Sequence, residues 1–339
     1  AGSAGIFSFG ADMKTGSVDG ADVYLTSPDI VTNRGKLTTY SAFLQDELPL
    51  MDESLNITLG IRFDQVQFNE GEFNSTSKPF KAFNSVLEEN SWSELSPKVG
   101  VTYRPNEKTR LYGSYAKAFR GSILDDLCRS GFNWVGPKIA NPNLTPETVH
   151  NFEVGIDRQI GNGTVTLTAY TMLGDDFLYY VTTGDSVSNR PSWQRENVAG
   201  VTISGLEFSA KLPVNKWMVV TGSFTGATSK IGEFPERRDL EGKELALAPA
   251  IRGKLGIETN RWVQSRLTWE LVGKQWADDI NTTEIPAYGV VHLKLSREII
   301  KGVTAGLDIR NLFNKEYTQS TSILDPGRFI IGSVSYELR

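Results

Sequence analysis

Leu55, Ile57, Leu59, Ile61 and Phe63 place an apolar side chain at every second position, and Asn56, Thr58, Gly60, Arg62 and Asp64 fill the places between. A period of two is that of a strand with one oily and one wet face. Similar dyads recur along the chain in stretches of about ten residues, the length a tilted strand needs to cross a bilayer. Hydrocarbon offers no hydrogen-bond partner to a backbone, so a chain crosses it either as helices or as a closed barrel. No apolar run here approaches the roughly 18 residues of a membrane helix. The expected fold is therefore all-β, a transmembrane antiparallel β-barrel, and the 39% hydrophobic content is that of a wall whose apolar half is interleaved with a polar lumen.

The alternation never gives way to a second compositional regime, so one barrel domain is expected over residues 1–339. Dyads predict strands near 3–12, 36–46, 54–68, 93–104, 109–120, 148–159, 162–181, 193–211, 216–229, 250–259, 263–274, 288–296, 303–313 and 328–338. Fourteen is an even number, as bacterial barrels prefer. Short connections such as Pro105–Lys108 alternate with long ones near 13–35, 70–92, 121–147, 182–192, 230–249, 275–287 and 314–327, and the long set is assigned to the extracellular rim. Val99, Val101 and Tyr103 are expected on the lipid face, as are Ile330, Val334, Tyr336 and Leu338. Between Val201 and Phe208 the phase slips at Gly205, which reads as a bulge.

A net charge of -5 without a basic stripe excludes a general nucleic-acid binder. One cysteine, Cys128, leaves no internal disulfide and no thiolate metal site. Gly161–Gly163 lacks the context of a phosphate-binding loop and reads as a hairpin turn. The N-terminus has neither a basic segment nor a long apolar core, so any signal peptide is expected upstream or already removed.

Four blocks carry a family resemblance: Thr38–Gln65 with its Gly60–Asp64 close, Ser96–Arg120 ending in Phe119-Arg120, Asn141–Asp157 with Asn-Pro-Asn-Leu-Thr-Pro-Glu, and Asn311–Tyr317 (NLFNKEY). In this order the chain resembles the C-terminal barrel portion of TonB-dependent outer-membrane receptors, which import iron chelates, haem, cobalamin and some glycans. The resemblance implies a barrel of about 22 strands around a plug, of which this chain would supply about fourteen, with the plug domain and the first barrel strands absent. It also implies an outer-membrane location in a Gram-negative cell, multi-pass, with energy delivered by the TonB complex through that plug. No catalytic residue, cofactor or metal is expected. One further aromatic residue after Arg339 would complete the usual terminal dyad, so the parent chain is expected to continue.

A ferric siderophore is the expected ligand. Such chelates are polar and often anionic, which suits arginine and aromatic side chains on outer loops. Candidates are Arg120, Arg129, Phe132 and Trp134 in the third long loop, Arg190 and Trp193 in the fourth, and Arg237 and Arg238 in the fifth. The bland alternative for each is a solvated or girdle residue. Haem is disfavoured because no histidine lies between Arg120 and Asn141; His150 has lipid-facing parity and His292 lumen parity. Adjacent acids at 125–126, 175–176 and 278–279 could hold Ca²⁺ but more often are solvated. A passive channel and, last, a hydrolytic barrel using His150 complete the alternatives.

Overall fold

The computed structural model describes residues 5–23, 25, 28–133, 136–321 and 323–338. Residues 3 and 4 of the first expected strand, and Arg339, lie outside them. One sheet holds seventeen strands, three of which are short pieces of outer connections. The remaining fourteen form the wall: β1 (Ile6–Val23), β2 (Ile30–Leu50), β3 (Leu55–Ser75), β4 (Asn90–Asn106), β5 (Thr109–Arg120), β6 (Glu147–Ile160) and β7 (Gly163–Val187), followed by β8 (Arg190–Asn215), β9 (Met218–Ile231), β10 (Ile251–Thr259), β11 (Gln264–Val272), β12 (Tyr288–Ile300), β13 (Val303–Arg310) and β14 (Phe329–Tyr336). Each pairs antiparallel with the next in sequence. All fourteen dyad segments thus become wall strands, and among the described residues no ladder joins β1 to β14.

Opposed residues in an antiparallel pair share a face, so register fixes what each surface presents. The parity of Leu59, Ile61, Phe63, Val99, Val101, Tyr103, Phe152, Val154, Leu167, Leu206 and Phe208 carries large exposed apolar side chains, which is the surface a lipid would cover. On the opposite parity the polar residues stitch strands together. Arg62 donates from Nε and NH2 to Asp64 and from NH1 to Asp12, while the Ser41 hydroxyl donates to Asp64 at 2.6 Å, joining β1, β2 and β3. Arg110 donates to Asp157 at 2.6 Å and Thr166 donates to the same carboxylate at 2.8 Å, joining β5, β6 and β7.

Two expected loops are strands. Register runs without a break from Ile6↔Glu47 to Val23↔Ile30, so most of 13–35 is β-ribbon. The 182–192 segment likewise closes as a hairpin at Val187↔Arg190, across Ser188 and Asn189, whose φ values of 53 and 60 are those of a type I′ turn. The strongest cause of the misreading is that both faces of these extensions meet water or other loops, so the apolar alternation disappears and small polar residues look like a loop. At 26 residues β8 is far longer than the about ten needed to cross a bilayer.

The expected bulge at Gly205 is also corrected. Register is continuous through Tyr170↔Gly205↔Ala227, and the irregularities fall instead between Gly174 and Leu178, between Thr182 and Ser186 and between Pro213 and Asn215. Val201 and Ile203 simply lie on the inner parity, where Val201 is 3% exposed. Gly205 serves close approach: a Cβ there would sit 2.7 Å from the Tyr170 ring and 2.9 Å from the Gly226 carbonyl oxygen. Replacing Gly205 with Val is expected to cost about 1–3 kcal/mol through this overpacking. Gly100→Ala, whose Cβ would meet nothing nearer than 3.8 Å, is the control; thermal unfolding in detergent compares the two, and equal midpoints would contradict the assignment.

Candidate functional site

The outer ends of the long strands form a vestibule whose largest element is the connection between β5 and β6. It begins with Gly121, forms helix α1 (Leu124–Cys128), turns through a short ribbon (Gly131–Asn133 with Gly136–Lys138) and returns along Asn141–Pro146. Leu127, Cys128 and Leu144 are buried and pack against Phe68 of β3 and Leu178 of β7, with Val18, Leu37 and Trp92 alongside. These wall residues have inner parity, so the connection folds into the mouth and does not project outward. Cys128 lies against Gly35, its Sγ 2.9 Å from where a Cβ would stand. Burial, together with the Asp125 charge, pushes the Cys128 thiol up to about 11, which leaves it unreactive at neutral pH.

Charge fastens the same connection. Lys138, 4% exposed, donates to Asp125 Oδ2 at 2.6 Å, to Asp126 Oδ1 at 2.8 Å and to the Asp125 carbonyl at 2.7 Å. Arg195 of β8 lies 3.8 Å from Asp126, donates to the Leu178 carbonyl at 2.7 Å and stacks on Tyr180 with its guanidinium carbon 4.1 Å from the ring centre. Burial drives the Asp125 carboxyl up, but Lys138 and then Arg129 outweigh it, and the group ends below its ordinary value.

The expected ligand contacts are distributed as follows. Arg120 pairs with the buried Glu147, and Arg129 pairs with Asp22 at 3.1 Å and Asp125 at 3.2 Å. Phe132, 47% exposed, meets the buried Phe80 edge to face with centroids 5.1 Å apart. Trp134 lies outside the described residues. Trp193 accepts on its carbonyl from the Ile139 N–H at 2.8 Å and so fixes the ribbon to β8. Arg237 donates to both oxygens of Asp239 at 2.9 and 2.8 Å. Arg190, at the β7–β8 turn, and Arg238, in the 3₁₀ turn Pro235–Leu240, are exposed and carry no carboxylate partner among the described residues. The structure therefore gathers Arg120, Arg129, Phe132 and Trp193 around one connection, leaves Arg190 and Arg238 as the open cations of the described set, and ties Arg237 to Asp239.

The family-like blocks have structural tasks. Asn141 donates to the Arg195 carbonyl at 2.9 Å and Glu147 accepts from the Leu178 N–H at 2.8 Å. Asn311, 2% exposed with φ 49, exchanges hydrogen bonds with Lys315 at 2.7 and 2.8 Å and donates its N–H to His292 Nδ1 at 3.2 Å. His150 is hydrogen-bonded to the Tyr115 hydroxyl at 2.9 Å. Asp278 accepts from Thr282 and Thr283 in its own turn, and no cluster of three or more metal-ligating side chains occurs among the described residues. Sequence reasoning missed Lys138 and Arg195, which lie in unremarkable segments and acquire their roles only when distant strands meet. At the short-turn end, a cavity of about 330 Å³ lined by Lys216, Trp217, Glu258, Arg266 and Lys294 lies away from these outer residues.

A sequence-family profile described as TonB dependent receptor-like, beta-barrel, matches residues 2–312, and the chain belongs to that family. It is 26% identical over 317 residues to a ferrioxamine receptor of Yersinia enterocolitica, covering 90% of this chain and 40% of that protein. Over 335 residues it is 23% identical to a hemin receptor of Yersinia pestis, covering 90% of this chain and 44% of the relative. Among solved structures, the ferric yersiniabactin uptake receptor of Yersinia pestis matches with a TM-score of 0.74 at 15% identity, covering 98% of this chain and 49% of that one. The chain thus spans less than half the length of these curated relatives. The family's members are transport receptors, not enzymes, and are outer-membrane proteins of Gram-negative bacteria.

Replacing Lys138 with Met would leave the buried Asp126 with only Arg195 at 3.8 Å and the half-exposed Asp125 with only Arg129, a loss of about 1–3 kcal/mol. The β5–β6 connection is expected to become the first site of proteolytic cleavage. Because Asp125 is held below its ordinary value, the contribution of the pair is complete above about pH 4 and is lost as pH falls through the lowered value. Limited proteolysis with one acid-tolerant protease, followed stepwise downward from pH 6 against an unfolded control, reads this; cleavage that does not rise as the carboxylate takes up its proton would contradict it.

Proposed function

We propose that the chain is the barrel portion of an outer-membrane receptor that takes up a scarce ligand, a ferric siderophore, with energy supplied through TonB. The observation that carries this reading is family membership across residues 2–312 on a wall whose outer ends are built into an ordered vestibule. The relatives named for ferrioxamine and ferric yersiniabactin support the ligand class. Haem is the weaker alternative, although a hemin receptor is among the relatives. His150 shares the lipid-facing parity of Phe152 on β6 and His292 lies in the wall strand β12, so neither described histidine stands on the outer connections.

The plug and the first wall strands belong to the rest of the parent polypeptide in this reading. The edges of β1 and β14, which pair with no further strand among the described residues, support it, since an open sheet edge in hydrocarbon leaves a row of N–H and C=O groups without partners. This chain refolded alone is expected to stay protease-sensitive and to show no heat-modifiable mobility; a resistant, heat-modifiable barrel would overturn the requirement for further strands.

Ligand binding is tested with the full-length receptor in detergent against a ferric catecholate and a ferric hydroxamate. Binding of the iron complex and not of the iron-free chelator supports the reading, and binding of neither sinks it. For an anionic chelate, the paired substitutions Arg190→Glu and Arg238→Glu are expected to weaken binding at least about tenfold, or 1.4 kcal/mol, without loss of stability. Unchanged affinity would remove these two residues from the site.

A further inference from the structure

The inner wall is furnished differently from one sector to another. Over β5–β7 side chains bonded to one another close it: the Tyr112 and Thr168 hydroxyls share a hydrogen bond of 2.7 Å, Tyr112 lies across Gly155, and Arg110, Asp157 and Thr166 form one network. Over the short-turn half of β12–β14 the inner parity holds Ser296, Thr304, Gly306, Ser333 and Ser335. Ser296 donates to Gln264 at a long 3.3 Å, and the hydroxyls of Thr304, Ser333 and Ser335 make no hydrogen bond among the described residues. Such short side chains leave a trough. Two cavities of about 490 and 340 Å³ share Ser296, Thr304 and Ser335, and the larger also shares Asn260, Gln264 and Ser296 with the 330 Å³ cavity at the short-turn end.

That last cavity carries the charge the trough lacks. Lys216, in the β8–β9 turn, and Lys294 of β12 line it and are exposed, and neither has a carboxylate within ion-pair distance among the described residues, whereas Arg266 is tied to Glu258 at 3.0 Å. Trp217 forms one side of it. The Asn260 N–H donates to the Trp217 carbonyl at 3.0 Å and so fixes the β8–β9 turn to the β10–β11 turn. Beside it the Arg261 guanidinium carbon stands 5.5 Å from the Trp217 ring centre and 4.4 Å from that of Trp262, which is 74% exposed. Cations beside aromatic faces are the groups that suit an oxygen-rich iron chelate, and here they stand at the opposite end of the lumen from the outer connections.

We propose that the cavity bounded by Lys216, Trp217 and Lys294 is an exit site, the last wall contact of a ferric chelate leaving the lumen, and that the chelate reaches it along the hydroxyl trough of β12–β14. This rests on the receptor reading above. Oxygen atoms on the surface of a chelate accept from Ser and Thr hydroxyls one or two at a time, which holds the solute without trapping it, as a conducting wall must. The two ammonium groups draw it to the end of the trough, and their exposure lets water replace them when it departs.

The test uses full-length receptor carrying Lys216→Glu together with Lys294→Glu. Equilibrium binding of the ferric hydroxamate or catecholate should stay within about twofold of the unsubstituted receptor, while uptake into cells should fall at least about fivefold and be kept by the pair Lys216→Arg and Lys294→Arg. The charge-reversed receptor should remain silent in a planar bilayer. Unchanged uptake would overturn the proposal, and so would lost uptake accompanied by steady conductance steps, because these would assign the two lysines to holding the plug. If the charge-reversed receptor does not fold, Ser333→Cys decides. With the buried, unreactive Cys128 as the blank, a bulky thiosulfonate should block uptake and a methyl thiosulfonate should not; uptake that ignores the size of the adduct, with modification confirmed by mass spectrometry, would overturn the trough. Should neither chelate bind the unsubstituted receptor, the ferric reading falls and the exit site with it; a chelate that binds but enters the charge-reversed receptor at an undiminished rate sinks the exit site alone.

Discussion

Everything in this molecule depends on the backbone hydrogen-bond ladder. In hydrocarbon an unpaired N–H or C=O costs several kcal/mol, so each strand must be flanked on both sides along its membrane-crossing length. Once the ladder is continuous, side chains have no choice of face. A shift of one residue would carry Leu59, Ile61 and Phe63 inward and Arg62 and Asp64 into lipid. The Arg62–Asp64–Asp12 and Arg110–Asp157 networks therefore lock register as well as filling the lumen, because each requires the correct three strands side by side.

Beyond the membrane the same ladder continues under different rules. Water can satisfy a free edge and neither face need be oily, so β1, β2, β7 and β8 rise as polar ribbons. Those ribbons give the β5–β6 connection a surface to lie against, with Val18, Leu37 and Leu178 on their inner parity beside Phe68 of β3. The membrane wall and the seating of the β5–β6 connection are thus two consequences of one extended sheet, separated by where hydrocarbon ends.

What the sequence revealed follows the same boundary. Every strand that crosses lipid announced itself, because a wall with one apolar face imposes a period of two that composition cannot disguise. Segments 13–35 and 182–192 did not, since their alternation is between polar residues and carries no hydropathy signal. Gly205 was misread for a related reason: two apolar residues, Val201 and Ile203, face inward where the sheet meets loops, and a change in which face is apolar mimics a change of phase. The site was less legible still. Arg120, Arg129 and Arg237 look like ligand contacts as isolated residues, yet Glu147, Asp22, Asp125 and Asp239 reach them only through the fold.

That use of the cations shapes what the vestibule can recognise. Carboxylates outnumber Lys and Arg in six of the seven segments 13–35, 70–92, 121–147, 182–192, 230–249, 275–287 and 314–327, and equal them in 182–192. The β5–β6 connection takes Lys138, Arg129 and Arg195 for its own neutralisation, because a buried carboxylate without a partner would unseat it. An anionic chelate consequently approaches a rim whose field does not attract it. At physiological salt that field is screened beyond about 8 Å, so repulsion is felt only near contact, where hydrogen bonds and aromatic faces also act. Affinity for such a ligand must arise at short range, from a few open cations such as Arg190 and Arg238 and from exposed rings such as Phe132, held in place by a framework that has already consumed the rest.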